Sequence, residues 1–201
     1  MKRKKTKNRL VVLFAILFVL MGTQMAFSAP ILLDNFNLEN GGIGALNYTG
    51  FANWTVSNGT VDLIGNGYFD FYPGNGLYVD LDGSTFQAGT LSTKISFAPG
   101  TYILSFDLGG NQRNYPDDLV DINMGNLATT LTVASGDPLS LFTYNVTLTT
   151  TGPLTFYNHG GDNVGAILDN VTVSAVPEPY TVLLLGLGMV GLAGVRRKFG
   201  N

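Results

Sequence analysis

The chain predicts an all-β fold, an antiparallel β-sandwich set between two short terminal segments of different character. Three observations point there. Apolar residues of the central region recur at every second position, turn-forming Gly, Asn, Asp and Pro clusters punctuate them, and no window away from the two ends shows a helical period. Successive side chains of a strand point to opposite faces, so a period of two marks strands that bury one face.

The first element is an address. Lys2, Arg3, Lys4, Lys5, Lys7 and Arg9 precede an apolar stretch from Leu10 to Met21. That is the layout of a signal peptide, a short apolar helix read by the Sec export machinery. Ala26 and Ser28 supply small residues at positions −3 and −1, so residues 1–28 form the leader and signal peptidase cuts after Ser28. An uncleaved N-terminal anchor is the alternative, and it exports the domain equally.

Residues 29–175 form the sandwich domain, long enough for one domain with a real core. Leu91, Thr93, Ile95 and Phe97 make one stripe, and Tyr102, Leu104, Phe106 and Leu108 follow the turn Ala98-Pro99-Gly100. Val120, Ile122 and Met124 make a third stripe; Phe142, Tyr144, Val146 and Leu148 make a fourth. Turns fall at Asn58-Gly59, Asn66-Gly67, Pro73-Gly74-Asn75-Gly76, Gly136-Asp137-Pro138, Gly152-Pro153 and Gly160-Gly161-Asp162. Eight or nine strands at this spacing predict a sandwich, with a jelly roll as the favoured variant.

Charge narrows the function classes. Between the leader and Val176 only Lys94 and Arg113 are basic, against 13 carboxylates, a net charge of −11 that the whole-chain value of −3 conceals. So acidic a body is repelled by nucleic acid and by anionic membrane surfaces, and it attracts divalent cations. There is no cysteine, so burial, backbone pairing or a metal must hold the domain together. A Cys-His catalytic pair is excluded, and neither a Gly-x-Ser-x-Gly elbow nor a His-Glu-x-x-His zinc motif occurs. His159, the one histidine, reads as a turn residue, and nothing singles out two carboxylates for glycoside hydrolysis.

The last element, residues 176–201, is a second address. Val176-Pro177-Glu178-Pro179 is followed by an apolar run over 181–195 and by the basic cluster Arg196, Arg197 and Lys198. As a helix that run of 15 residues spans only ~22 Å, against ~30 Å of bilayer hydrocarbon, which makes a marginal transmembrane anchor. The basic cluster stops transfer and places this end in the cytoplasm, with everything before Pro177 beyond the membrane. Pro177 and Pro179 lack an N–H and hold their predecessors extended, so Glu178 is presented on a stiff, accessible peptide.

This tail resembles the PEP-CTERM sorting signal of Gram-negative bacteria. The resemblance implies recognition of Pro177, Glu178 and Pro179 by an exosortase, a membrane-embedded cysteine transpeptidase that removes the helix. The inner membrane would then be an intermediate stop on the way to the cell surface or the extracellular matrix. An ordinary single-pass anchor with a proline-rich stalk is the alternative.

A second resemblance covers most of residues 31–173. The segments 54–64, 76–84, 99–110 and 160–171, among them Tyr78-Val79-Asp80-Leu81-Asp82-Gly83-Ser84 and Ile167-Leu168-Asp169-Asn170-Val171, are similar to galactose-binding-like jelly-roll domains of exported bacterial proteins. The resemblance implies a structural calcium shared by Glu39, near the N-terminus, and Asp169 on the last strand. Asp169 is expected on the same strand face as Ile167, Val171 and Val173, where a carboxylate needs either a cation or several hydrogen-bond donors. Phe36 departs from the pattern, which commonly has glycine there. Asp117, Asp118 and Asp121 read as a solvated face.

Carbohydrate readers of this shape stack a sugar on an exposed aromatic ring and fix its hydroxyls with polar side chains. Trp54, Tyr68, Tyr72, Arg113 and Tyr115 are the candidates, with Trp54 and the Tyr68–Tyr72 cluster equally readable as sandwich filling. Together these features describe a non-catalytic surface or matrix protein, associated through glycan binding with exopolysaccharide or biofilm. A purely structural surface protein and a secreted glycoside hydrolase are the other classes.

Overall fold

The computed structural model describes residues 29–177 and Gly188. The apolar leader stretch and the 181–195 run apart from Gly188, with Glu178, Pro179, Arg196, Arg197 and Lys198, lie outside the described residues. Among the described residues no helix is long and apolar enough to cross a membrane.

The domain is a sandwich of two antiparallel sheets built from eleven strands. One sheet holds β1 (Pro30–Asp34), β3 (Asp62–Gly65), β4 (Leu77–Asp80), β6 (Gly100–Gly109), β9 (Ser140–Leu148) and β11 (Ile167–Ala175), in the order β3-β4-β11-β6-β9. β6 runs along one side of β11, while β4 pairs with its start, at Ile167 and Leu168, and β1 with its later part, Val171 to Ser174. The other sheet has the order β2-β5-β10-β7-β8, from β2 (Trp54–Ser57), β5 (Thr90–Thr93), β7 (Asp118–Met124), β8 (Leu127–Val133) and β10 (Thr155–Asn158). Within residues 29–177 the helical piece is a single 3-10 turn, Glu39–Gly42.

Alternation carries the inner faces. On β6, Tyr102, Leu104, Phe106 and Leu108 are buried, and on β7 so are Val120, Ile122 and Met124. Phe106 links the sheets: it meets Phe156 edge-on at 5.1 Å, Phe156 lies 6.0 Å from Trp54, and Trp54 lies 6.2 Å from Phe36. Each such ring withdrawn from water contributes roughly 1.5–3 kcal/mol, so this aromatic chain is the main cement between the layers. On β9, Val146 and Leu148 are buried while Phe142 and Tyr144 are half-buried, because β9 is the last strand of its sheet.

Three expectations needed correction. The 91–97 stripe stops early: β5 ends at Thr93, whose hydroxyl donates to Ile95 O, and Ile95 turns outward. There are eleven strands where the turn spacing suggested eight or nine, because five of them have only four residues and show no period of their own. On β11 the face assignment of Asp169 also fails. Asn170 takes a left-handed φ of 50° and the pairing register shifts between Asp169 and Thr172. This bulge reverses the alternation, as an extra residue in one strand must. Leu168, Val171 and Val173 therefore face the core, while Ile167 packs with Ile64 and Tyr78 on the outside of the sheet.

Candidate functional site

At the end of the sandwich where β4 and β6 finish and β11 begins, three loops converge: 81–89, 110–117 and 159–166. The 66–76 loop folds back over the outer face of the first sheet to reach them. Tyr78 holds it there by accepting the N–H groups of Phe71 and Tyr72 at its hydroxyl, at 2.5 and 3.0 Å. Arg113 is the centre of the group. Its guanidinium donates to Asp80 Oδ2 at 2.5 Å and to the carbonyl of Asn163 at 3.4 Å, and it lies 4.7 Å from the centre of the Phe71 ring. A cation held over a ring face and against a carboxylate is fixed in position.

The second layer locks these loops. Asp80 Oδ1 accepts the N–H groups of Asp82 and Gly165, and Asp82 Oδ2 accepts those of Gly161 and Asp162. Asn111 Nδ2 and Asn158 Nδ2 both donate to Asp118, at 3.0 and 3.2 Å. Burial pushes the Asp80 carboxyl up to about 8, against the pull of Arg113 and the Asp82 N–H; burial likewise raises Asp118. Asp82 Oδ1 and Arg113 Nε are buried without a partner.

Two aromatic rings stand out of this frame. Phe86 is 72% exposed and Tyr115 is 48% exposed, on the 81–89 and 110–117 loops. Phe86 has a left-handed φ of 57°, a costly conformation for a bulky residue, and the side chain of Asn163 accepts its N–H at 2.5 Å. Asn163 thus joins the Phe86 backbone to Arg113. Neither Phe86 nor Asn163 was a sequence-level candidate. Only the oddity of an aromatic two residues after Gly83-Ser84, in a segment with no alternation, was available as a signal.

The sequence candidates divide. Arg113 and Tyr115 belong to this loop end. Tyr72 is there too, but as a strut: its one hydroxyl proton is shared between the carbonyls of Gly110 and Asp137, at 2.8 and 2.7 Å, and its oxygen accepts from Gln112. Tyr68 is exposed but stays beside β3, exchanging backbone hydrogen bonds with Gly65 and meeting Phe69 edge-on at 4.9 Å. Trp54 offers no face to a ligand. It is fully buried, and its Nε1–H donates to Asp34 Oδ2 at 2.9 Å.

The carboxylates expected around calcium lie elsewhere, along the β1–β11 contact. Asp34 accepts Phe36 N–H, Asn53 and Trp54, and its charge is felt by both Glu39 and Asp169. Glu39 receives Ala52 N–H on both oxygens, at 2.8 and 3.0 Å, and burial raises its carboxyl. Asp169 is pushed up to about 7 by burial first, with the neighbouring Asp107 and Asp34 adding to it. Carboxylates are the hard oxygen donors that calcium takes, and Glu39 and Asp169 each feel the charge of Asp34. Among the described residues no three acidic or imidazole side chains form a metal-binding group, so backbone carbonyls would have to complete the shell.

Comparison with known proteins bears on both ends of this picture. The family model described as the PEP-CTERM protein-sorting motif matches residues 175–198. The chain carries that sorting signal, which implies recognition by an exosortase. No curated protein sequence matches the chain. Among solved structures, the K3 cleaved adhesin domain of Lys-gingipain from Porphyromonas gingivalis W83 is similar, with 19% identity and a TM-score of 0.50 over 73% of this chain and all of that one. The CBM22-1 xylan-binding domain of Paenibacillus barcinonensis Xyn10C follows at 14% identity and a TM-score of 0.46, over 76% of this chain and 97% of that one. TmCBM61, solved with β-1,4-galactotriose, has 18% identity and a TM-score of 0.43, over 62% of this chain and 90% of that one. At these identities the similarity is one of fold.

Proposed function

We propose that this is an exported, non-catalytic cell-surface protein, delivered by its leader and sorted through its C-terminal motif, whose jelly-roll domain binds glycan at the loop end around Arg113. Exopolysaccharide of the surrounding matrix is the proposed partner, and residues 1–28, 29–175 and 176–201 are the proposed leader, domain and tail. The observation that carries the binding half is the pair of exposed rings, Phe86 and Tyr115, mounted on loops that Arg113, Asp80 and Asn163 tie together. Stacking on such rings and hydrogen bonding to fixed polar groups is how proteins hold sugars.

The course of β11 supports this reading. β11 starts beside the loop end and finishes at Ala175, where Pro30 pairs with Ser174 and Val176 N–H donates to Thr101 O at 2.8 Å. Nine residues of strand separate the two ends by ~27 Å. Both junctions with the terminal addresses therefore leave from the end opposite Arg113, and a tethered domain would present the loop end away from the membrane. The test is isothermal titration of the full chain in detergent with oligosaccharides: saturable binding lost in Phe86→Ala supports the proposal, and no heat at millimolar sugar refutes it.

A structural calcium belongs to the same proposal. Glu39 and Asp169 would hold it, and it would neutralise their charge where β1 joins β11. A cation that binds only the folded state stabilises it by about 2.7 kcal/mol at a hundred times its dissociation constant. Melting should therefore rise with added calcium and fall with chelator; identical curves would remove calcium from the proposal.

A further inference from the structure

We infer that the loop end selects glycans by charge, taking neutral or amine-bearing sugars and rejecting polyuronates and other anionic polymers; this rests on the glycan-binding reading above. Phe86 and Tyr115 supply ring faces without charge, so selectivity falls to what surrounds them. Asp162 follows Gly161 on one flanking loop, and Asp117 stands two residues from Tyr115; both are exposed. Asp82 lies beneath them, and Asp80 is already taken by Arg113. The one cation of this end, Arg113, already donates to Asp80 and rests on Phe71, and its side chain is only 23% exposed. Lys94, the other cation among the described residues outside the tail, is committed to the Phe51 carbonyl on the β5 side.

A uronate stacked on either ring would enter the field of the exposed carboxylates Asp117 and Asp162, which reaches about a Debye length, ~8 Å at physiological salt and farther at low salt, and would meet no free guanidinium. Like-charge juxtaposition of this kind costs more than a neutral contact returns. An ammonium group placed there meets attraction instead. Neutral sugar is indifferent to the field and depends on stacking alone, so salt separates the three cases.

The test is titration of the full chain in detergent with three hexamers: a neutral β-1,4-glucan, its 2-amino counterpart and a galacturonate. At about 20 mM salt the neutral and amino hexamers should bind, the galacturonate at least about tenfold more weakly than the neutral one. Raising salt to about 500 mM should weaken the amino hexamer, leave the neutral one unchanged and narrow the galacturonate deficit. Asp117→Asn should narrow that deficit at low salt. Galacturonate binding as tight as glucan, abolished by Phe86→Ala, overturns the charge selection and leaves glycan binding standing. Neutral binding indifferent to both Phe86→Ala and Tyr115→Ala overturns the placement of the site. No binding of any of the three overturns the glycan reading and this inference together.

Discussion

Replacing Trp54 by Phe separates two roles open to a lone tryptophan, core anchor and sugar platform. The indole is fully buried, 6.0 Å from Phe156 and 6.2 Å from Phe36, and its Nε1–H donates to Asp34 Oδ2 at 2.9 Å. Phenylalanine keeps a ring in the core but leaves Asp34 with only the Phe36 N–H and Asn53 as donors. A hydrogen bond to a charged group contributes ~1.5–3 kcal/mol. The void left by the smaller ring adds about 1 kcal/mol. The expected loss is therefore ~2.5–4 kcal/mol, and at about 2–4 °C per kcal/mol for a domain of this size Tm should fall by roughly 5–15 °C. Urea unfolding followed by far-UV circular dichroism measures it, since the variant has no tryptophan to report. A variant of wild-type stability, within about 0.5 kcal/mol, that has lost glycan binding would refute the assignment of Trp54 to the core.

Two further outcomes are expected. Asp80 and Asp169 are held up to about 8 and about 7, chiefly by burial, whereas in the unfolded chain they titrate near the ordinary ~3.9. Their ionisation opposes folding, so the stability they contribute is complete below about pH 4 and is lost as pH rises through 7 to 8. With chelator present, the urea midpoint should accordingly be higher at about pH 5 than at about pH 8.5, and the reverse order would contradict these surroundings. At Gly165 an added Cβ would run into the Asp82 backbone nitrogen and Asp80 Oδ1, which is 2.9 Å from Gly165 N. Gly165→Ala should cost ~1–3 kcal/mol in thermal or urea unfolding and weaken glycan binding together, because the loop that carries Asn163 must shift; an unchanged midpoint would show that this loop has room to spare.

What was legible in the sequence follows from what is local. β6 and β7 were readable because seven to ten residues alternate without interruption and each has one face in the core. The turn at Asn66-Gly67 was readable because both residues need positive φ, 53° and 85°, which Asn and Gly tolerate best. The hairpin at Gly125-Asn126 carries the same kind of signal, but the three threonines among the seven residues of β8 dilute the alternation of Leu127, Leu131 and Val133. The Asn170 bulge was hidden, since nothing near it says that an extra residue sits in the strand. The loop end around Arg113 was only partly visible. Arg113 and Tyr115 stood out by type, but their link to Phe86 runs through Asn163, 50 residues from Arg113 and 77 from Phe86, and contacts at such separation leave no local pattern. For the same reason Trp54 looked ambiguous until Asp34, 20 residues earlier, supplied its partner.

The central claim is that both ends of the chain are addresses and that only the sandwich between them reaches its destination. Intact mass of the protein recovered from the cell envelope and the medium tests this most directly. The expected species begins at Ala29 and lacks the apolar run over 181–195 and the basic cluster after it. A full-length chain of 201 residues, recovered from the cytosol of cells that contain the processing enzyme, would contradict it.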